Sequence, residues 1–423
     1  MTPPTASGTL RPRTARASST AAAARSRTAT RSLPTATVLL VVVALLCIIG
    51  LVMVGTASSV ISIDDYGTPW AILIREGMWM AVGAVALGLT LRFDYTKLRR
   101  LSPLILAITF GLLLIVMVPG LGVNAMGSSR WIGFGQFRIQ PSEVMKLALV
   151  VFAADFITRR LDEDASDRRI MGPLLLVTAA AGGLILMQPD MGTAMVLAAI
   201  ALTMLFVSGV RLGPVMKLLG ALAVVGLIVA VASPYRRERL LSFLDPSAHS
   251  SSSGYQVMQS LIGLGQGHLF GAGLGGGQQQ WGFLPNAHTD FIFSVIGEEL
   301  GIVGAVAVLL LLGVFLWLGI RTATKSRDRF GSLLALGLVA WIAAETLINV
   351  GAVLGVLPVT GIPLPFISFG GSSLVITMIA AGVLINIARQ SESPMASVGA
   401  KSVRLRRSGG SKRGATAARG RGR

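Results

Sequence analysis

Windows of about 20 predominantly apolar residues recur along this chain, and each is long enough to carry a helix across the hydrocarbon core of a bilayer. They fall at 36–57, 70–91, 102–118, 143–158, 173–187, 191–208, 214–233, 291–320, 331–357 and 372–389. That makes about ten spans. The fourth and fifth windows are short and the Gln188-Pro189-Asp190 break is tight, so the range is nine to eleven. Charged residues make up 13% of the 423 positions, against about 25% in soluble domains. Too few polar side chains remain to coat a water-facing surface, which excludes an ordinary soluble enzyme. The reading is an all-α polytopic membrane protein. The first window lacks a small-residue cleavage site and reads as a retained helix.

Lys and Arg in the connecting segments set the orientation. With the N-terminus cytoplasmic, thirty of them fall inside and five outside (Arg130, Arg138, Arg236, Arg237 and Arg239). Both termini are therefore read as cytoplasmic. The formal charge of +18 resembles a nucleic-acid signal, but its placement argues otherwise. Much of it lies in two tails, 1–33 and 390–423, rich in Ser, Ala, Gly and Arg. Such tails bury nothing and suit anionic lipid headgroups. No nucleic-acid partner is expected. The span domain is 34–389, with a large outer loop at 234–290 between the seventh and eighth helices. A single cysteine, Cys47, excludes an internal disulfide and a cysteine metal cluster, and three histidines argue against a multi-histidine metal site.

Three outer segments carry more polar character than a connector needs. In 119–143, Arg130 and Trp131 sit beside glycines, placed either as an interfacial anchor or against a lipid phosphate. In 234–290, a glycine run from Gly254 to Gly277 either brings backbone close to a ligand or forms compact turns. Gln280, Trp281, Asn286 and His288 add uncharged hydrogen-bonding groups and a flat aromatic surface, an inventory that suits a sugar. In 358–373, Pro358, Pro363 and Pro365 forbid a continuous helix, so this backbone must be buried in protein or line a wet cavity. Gly370, Gly371, Ser372 and Ser373 then open the last span. Free amides there suit an anionic group, and a plain capped helix start explains them equally.

Ionisable residues within spans are functional candidates by default. Glu143 and Lys146 lie three apart and can neutralise each other. Asp155 near Arg159 reads as structural, and Asp190 as a helix cap. Of Glu298 and Glu299, at most one is expected to face the interior comfortably. Glu345 is mid-span with no local partner, which points to a cavity-facing or interhelical role. Asp290 ends the outer loop where the eighth span begins, placed for general-base chemistry or as a cap.

Five segments in order, GSSRWI with QPSEVMKLA, QPDMGTA, GYQVMQSLIGLGQGHLFGAGLG, LPNAHTDFIFSVIGEELG and PVTGIPLPFISFGGSS, resemble the FtsW/RodA family of bacterial shape, elongation, division and sporulation proteins. The likeness covers nearly all of 34–389. It implies a ten-helix enzyme of the plasma membrane that polymerises peptidoglycan glycan strands from lipid II. Asp290 would be the catalytic base and undecaprenyl pyrophosphate the leaving group. Arg130, Lys146 and the Gly370–Ser373 amides would offset charge on that pyrophosphate. Trp131, Gln280, His288, Glu298 and Glu345 complete the expected substrate-binding set. A class B penicillin-binding protein transpeptidase and other divisome proteins are the implied partners, at the division septum. Pyrophosphate departure often uses a divalent cation, Mg2+ or Mn2+, although the outer face offers no evident carboxylate cluster apart from Asp290 with Glu298 or Glu299. The GEELG and QQQWGFLPNAHTDF segments look more like the cell-division branch, while Pro358-Val359-Thr360-Gly361 occurs in both branches. A lipid II flippase and a non-catalytic divisome scaffold stand as the alternatives.

Overall fold

The helices follow the apolar windows closely, because an unbroken run of apolar residues in lipid must satisfy its own backbone. The computed structural model describes residues 33–120, 122–125, 128–134, 137–163, 166–211, 213, 216–217, 220 and 253–392. The tails, most of the window at 214–233 and the first part of the outer loop, including Arg236, Arg237 and Arg239, lie outside the described residues. The described helices are α1 (Thr35–Tyr66), α2 (Ala71–Arg92), α3 (Thr96–Ile115), α4 (Pro141–Asp162), α5 (Asp167–Met187), α6 (Met191–Val207), α7 (Ser253–Gln266), α8 (Ile292–Lys325), α9 (Arg329–Val353) and α10 (Ser372–Glu392). Seven are long and apolar enough to cross a membrane, and α6 is apolar but shorter. Helix α4 is 22 residues long and carries Glu143, Lys146 and Asp155 on buried positions. The fourth window is thus a full-length helix interrupted by charge, which is why its apolar run looked short.

Local signals account for the ends. Pro141 stands in the first turn of α4, where its missing N–H costs nothing. Asp190 caps α6 by accepting the Thr193 N–H at 3.0 Å, and Asp328 caps α9 through Gly331. Helix α9 is buried nearly all round and packs against α4, α6, α8 and α10, while α10 also lies along α2. A helix apolar on every face belongs in the centre of a bundle.

Two features depart from plain helices. The segment before α4 forms a small antiparallel sheet, β1 (Val123–Ala125), β2 (Ser128–Phe134) and β3 (Phe137–Ile139), in the order β1-β2-β3. Trp131 pairs with Val123 and Gly133 with Arg138. β1 and β3 are too short to announce themselves by alternation, and the β2 sequence SSRWIGF does not alternate apolar with polar residues. The second departure lies within α8, where Gly301 takes φ 69° and ψ −171° and breaks the helix. The break frees two carbonyls and two amides, and the loop after α7 pairs all four. Ala272 and Gly273 donate to the carbonyls of Glu298 and Glu299 at 2.9 and 3.0 Å, and Ile302 and Val303 donate to those of His268 and Leu269 at 3.0 and 3.2 Å.

The glycine run serves this junction. A Cβ on Gly267 would meet the Gly297 carbonyl, and one on Gly271 would meet the Glu299 carbonyl. These glycines bring backbone against backbone of α8, the close approach that only glycine allows. Gly265 faces open space. Gly267→Ala is therefore expected to lower stability by about 1–3 kcal/mol through overpacking, with Gly265→Ala near neutral. Thermal unfolding of the two variants in one detergent checks this.

Candidate functional site

Asp290 sits at the start of α8, half-buried. Its amide donates to the Asn286 carbonyl at 3.2 Å, and Asn286 holds φ 59° to make that turn. Its own carbonyl accepts from Asn349 Nδ2 of α9 at 2.8 Å. The same amide group of Asn349 reaches the Ile362 carbonyl at 2.8 Å. One side chain thus ties the Asp290 backbone to the proline-rich segment. The Asp290 carboxylate faces Gly361, with Oδ2 3.5 Å from where a Cβ on that glycine would stand. Gly361 has φ +75°, a conformation that side chains disfavour. Around this point, His288 Nδ1, Asn349 Oδ1 and Thr360 Oγ1 are buried without a hydrogen-bond partner. Buried polar atoms are nearly always satisfied, so each of the three has capacity for a further partner.

The His288 ring lies tilted against Phe369, their centroids 5.6 Å apart, while its carbonyl accepts the Phe369 N–H at 3.0 Å. Burial pushes its imidazole down to about 4, with Asp65 acting weakly in the other direction. It is a neutral ring near pH 7.

One helical turn from Asn349 on α9, Glu345 meets Lys146. The Lys146 ammonium is in contact with Glu345, lies 2.8 Å from the Glu143 carboxylate and sits 5.2 Å above the Trp341 ring. Lys146, Glu143 and Glu345 are all fully buried. Lys146, expected at the pyrophosphate, shares its charge with two carboxylates inside the bundle. Glu345 has an interhelical partner that lies 199 positions away in sequence, invisible to a local reading.

Arg130, on β2, donates from Nε to the Gln188 carbonyl at 2.7 Å and from a terminal nitrogen to the Pro189 carbonyl at 2.6 Å. It holds the turn whose Asp190 also accepts from Ser142 Oγ and Gln140. Gly192, just beyond, packs against Ile362 and the Thr360 carbonyl, so this turn borders the proline-rich segment. Trp131 is half-buried on the same strand.

The start of α10 differs from expectation. The Gly370 and Gly371 amides hydrogen-bond the carboxylate of Glu76 on α2. Ser372 Oγ accepts the Gln140 N–H at 3.2 Å, and the Ser373 N–H turns back to the Gly370 carbonyl at 3.0 Å. The expected anion cradle is occupied from within, because a buried glutamate needs those donors itself.

Gln280 and Glu298 are also turned inward. Gln280 donates to the carbonyls of Gly275 and Gly277 at 2.6 and 2.9 Å, and Glu298 accepts the Gln278 and Gln279 amides at 2.6 and 3.3 Å. Both Glu298 and Glu299 are buried, contrary to the expectation that only one would be. The break at Gly301 brings the outer loop over both. Beside this loop runs a largely apolar groove of about 680 Å3 between α1 and α2, lined by residues including Gly55, Val60, Leu73, Gly275 and Trp281.

No group of three His, Cys, Asp or Glu gathers among the described residues as a metal site would require. The Mg2+ or Mn2+ considered from the sequence finds no such donor set among the described residues. Sequence reasoning missed Asn349, Thr360 and Gly361; an asparagine in an apolar span was the available signal for the first.

Removing Lys146 strands two carboxylates in the core. Lys146→Met is expected to cost about 3–5 kcal/mol, read as a fall in the thermal midpoint that Lys146→Arg does not fully restore. His288 gives a pH signature. Burial holds the folded imidazole down to about 4, below its ordinary 6.5, so the unfolded chain binds more protons between those values. Stability falls as pH drops through that window, by up to about 3 kcal/mol. His288→Asn should flatten that part of the stability–pH curve.

In sequence, residues 36–393 match the FtsW/RodA/SpoVE family, described as cell cycle proteins. Stage V sporulation protein E of Bacillus subtilis (strain 168) is 41% identical over 355 residues, which cover 84% of this chain and 96% of that protein. The probable peptidoglycan glycosyltransferase FtsW of Coxiella burnetii is 40% identical over 350 residues, covering 82% and 94%. Among solved structures, a chain from a peptidoglycan synthase complex that coordinates polymerization and crosslinking superposes with a TM-score of 0.67 and 28% identity, covering 84% of this chain and 98% of that one. With this sequence match along the whole described bundle, the chain belongs to the FtsW/RodA/SpoVE family.

Proposed function

We propose that Asp290 is the general base of a glycan-polymerising reaction at the outer end of this bundle. The chain is a multi-pass membrane protein and a peptidoglycan glycosyltransferase, as relatives about 40% identical over most of its length are named. The substrate read from the resemblance is lipid II. The 4-hydroxyl of an N-acetylglucosamine attacks the anomeric carbon of a lipid-linked N-acetylmuramyl unit. The new glycosidic bond forms as the bond to pyrophosphate breaks, undecaprenyl pyrophosphate takes the electron pair, and the anomeric centre inverts. The hydroxyl proton passes to the Asp290 carboxylate.

The observation that carries this reading is the grouping of a half-exposed carboxylate with three unpartnered buried polar atoms. Imidazole, amide and hydroxyl groups recognise sugar hydroxyls as neutral donors and acceptors, without the charge an ion would call for. Asn349 fixes the Asp290 backbone from α9, so the base is held by a rigid helix. Arg130 supplies positive charge on the neighbouring turn, where it offsets charge on the departing pyrophosphate. The groove between α1 and α2 is wide and apolar enough for a prenyl chain, so the lipid tail stays in the membrane while the sugar reacts. Likeness to a chain of a peptidoglycan synthase complex supports a partner synthase, which we take to be a class B penicillin-binding transpeptidase working at the septum.

Purified full-length protein with that transpeptidase, supplied with lipid II, tests the mechanism. Asp290→Asn is expected to reduce glycan polymer by about 100-fold or more with the thermal midpoint unchanged. Polymer at the parental rate from this variant removes Asp290 from the mechanism. Lipid II translocation without any polymer, in parent and variant alike, would make the protein a flippase.

A further inference from the structure

Several arginines at the end of the bundle away from Asp290 are held in ion pairs, and three others line a pocket. Those near α4 are neutralised: Arg99 and Arg159 by Asp155 at 3.2 and 2.8 Å, Arg160 by Glu163 at 2.9 Å and Arg329 by Asp162 at 3.2 Å. Arg92, Arg327 and Arg389 are arranged differently. They come from the end of α2, the α8–α9 turn and the end of α10, and they converge on a pocket of about 360 Å3 with a mainly polar wall. Among the described residues, no salt bridge reaches Arg92 or Arg389. Asp94 is the pocket's acid. The Thr96 N–H, with smaller help from Gln390 and Lys97, holds its carboxyl below the usual aspartate range, so it stays ionised. Arg92 and Arg389 alone outnumber that carboxylate, which leaves the pocket positive.

The floor is built, not incidental. Asn386 is buried, and its Nδ2 donates to the carbonyls of Thr90, Leu91 and Phe93 at 3.0, 3.0 and 2.8 Å. Those are carbonyls at the end of α2, whose partial negative charge would repel an anion, and the asparagine covers them. Asn386 also borders a second, wholly apolar crevice of about 80 Å3, lined by residues including Phe93, Leu98, Ile105 and Val383. A positive, polar pocket therefore adjoins an apolar crevice at the ends of two membrane-crossing helices. The Lys and Arg bias assigns this end to the cytoplasm, which places the pocket at the headgroup level of the inner leaflet.

We propose that the Arg92–Arg327–Arg389 pocket binds the phosphate-bearing headgroup of an anionic membrane lipid, with the first part of an acyl chain in the neighbouring crevice. Guanidinium groups suit phosphate oxygens because they present paired donors in a fixed plane. A free phosphate would use the pocket and leave the crevice unused; a lipid uses both.

The test uses full-length protein in detergent, titrated with mixed micelles containing phosphatidylglycerol, with phosphatidylcholine micelles and inorganic phosphate as separate arms. Affinity for phosphatidylglycerol should fall about 30-fold in Arg92→Gln/Arg389→Gln. It should hold in Arg100→Gln, an exposed arginine outside the pocket. Phosphatidylcholine and inorganic phosphate should bind far more weakly than phosphatidylglycerol. Parental affinity in the double variant overturns the site, as does an equal loss in Arg100→Gln, which would mean general surface charge. Inorganic phosphate binding as tightly as the lipid overturns the lipid assignment.

Discussion

Lys146 and its two glutamates fix how α4 sits against α9. One ammonium between two carboxylates, all buried, tolerates no slip of either helix, because a one-turn shift would leave a charge unpaired in a medium that cannot solvate it. The position of α9 follows from that pairing. From α9, Asn349 holds both the Asp290 backbone and the proline-rich segment. An ionic contact deep in the bundle therefore sets where the candidate base stands at its rim. Such pairs are weak sources of net stability, and their value here is in selecting one arrangement.

The second constraint is that backbone polar groups have no water to turn to within the membrane. It explains the two irregular features beside Asp290. At Gly301, the loop after α7 pairs every group that the broken helix releases. In the proline-rich segment, Leu364, Phe366 and Ile367 are buried in protein, and Asn349 and Ser368 satisfy exposed backbone groups. The site is assembled from these non-helical stretches because only they can project loop backbone and polar side chains towards a common point.

Much of this was legible in the chain itself. The apolar windows located the described membrane helices, and Pro141, Asp190 and Asp328 mark helix starts by chemistry that acts within one turn. The family resemblance singled out Asp290. Contacts between distant segments were not legible: Glu345 with Lys146, Gly370 and Gly371 with Glu76, and Glu298 with Gln278 and Gln279. In each case a residue type suited to binding substrate proved to be satisfied by a partner from elsewhere in the bundle. The three-stranded sheet was missed because β1 and β3 are too short to show a period and β2 does not alternate apolar with polar residues.

Composition and periodicity by themselves determined a helical membrane protein, since a chain this poor in charge can satisfy its backbone in lipid only by coiling. They also determined where polar groups would collect at its edges. Tertiary structure decided which of those groups face outward. Hydrogen bonds and ion pairs in an apolar interior form between whichever donors and acceptors packing brings together, and separation along the chain has no bearing on that choice. Glu76, Glu298 and Lys146 are held inside for this reason, while Asp290, with Asn349 holding its backbone, keeps part of its surface open.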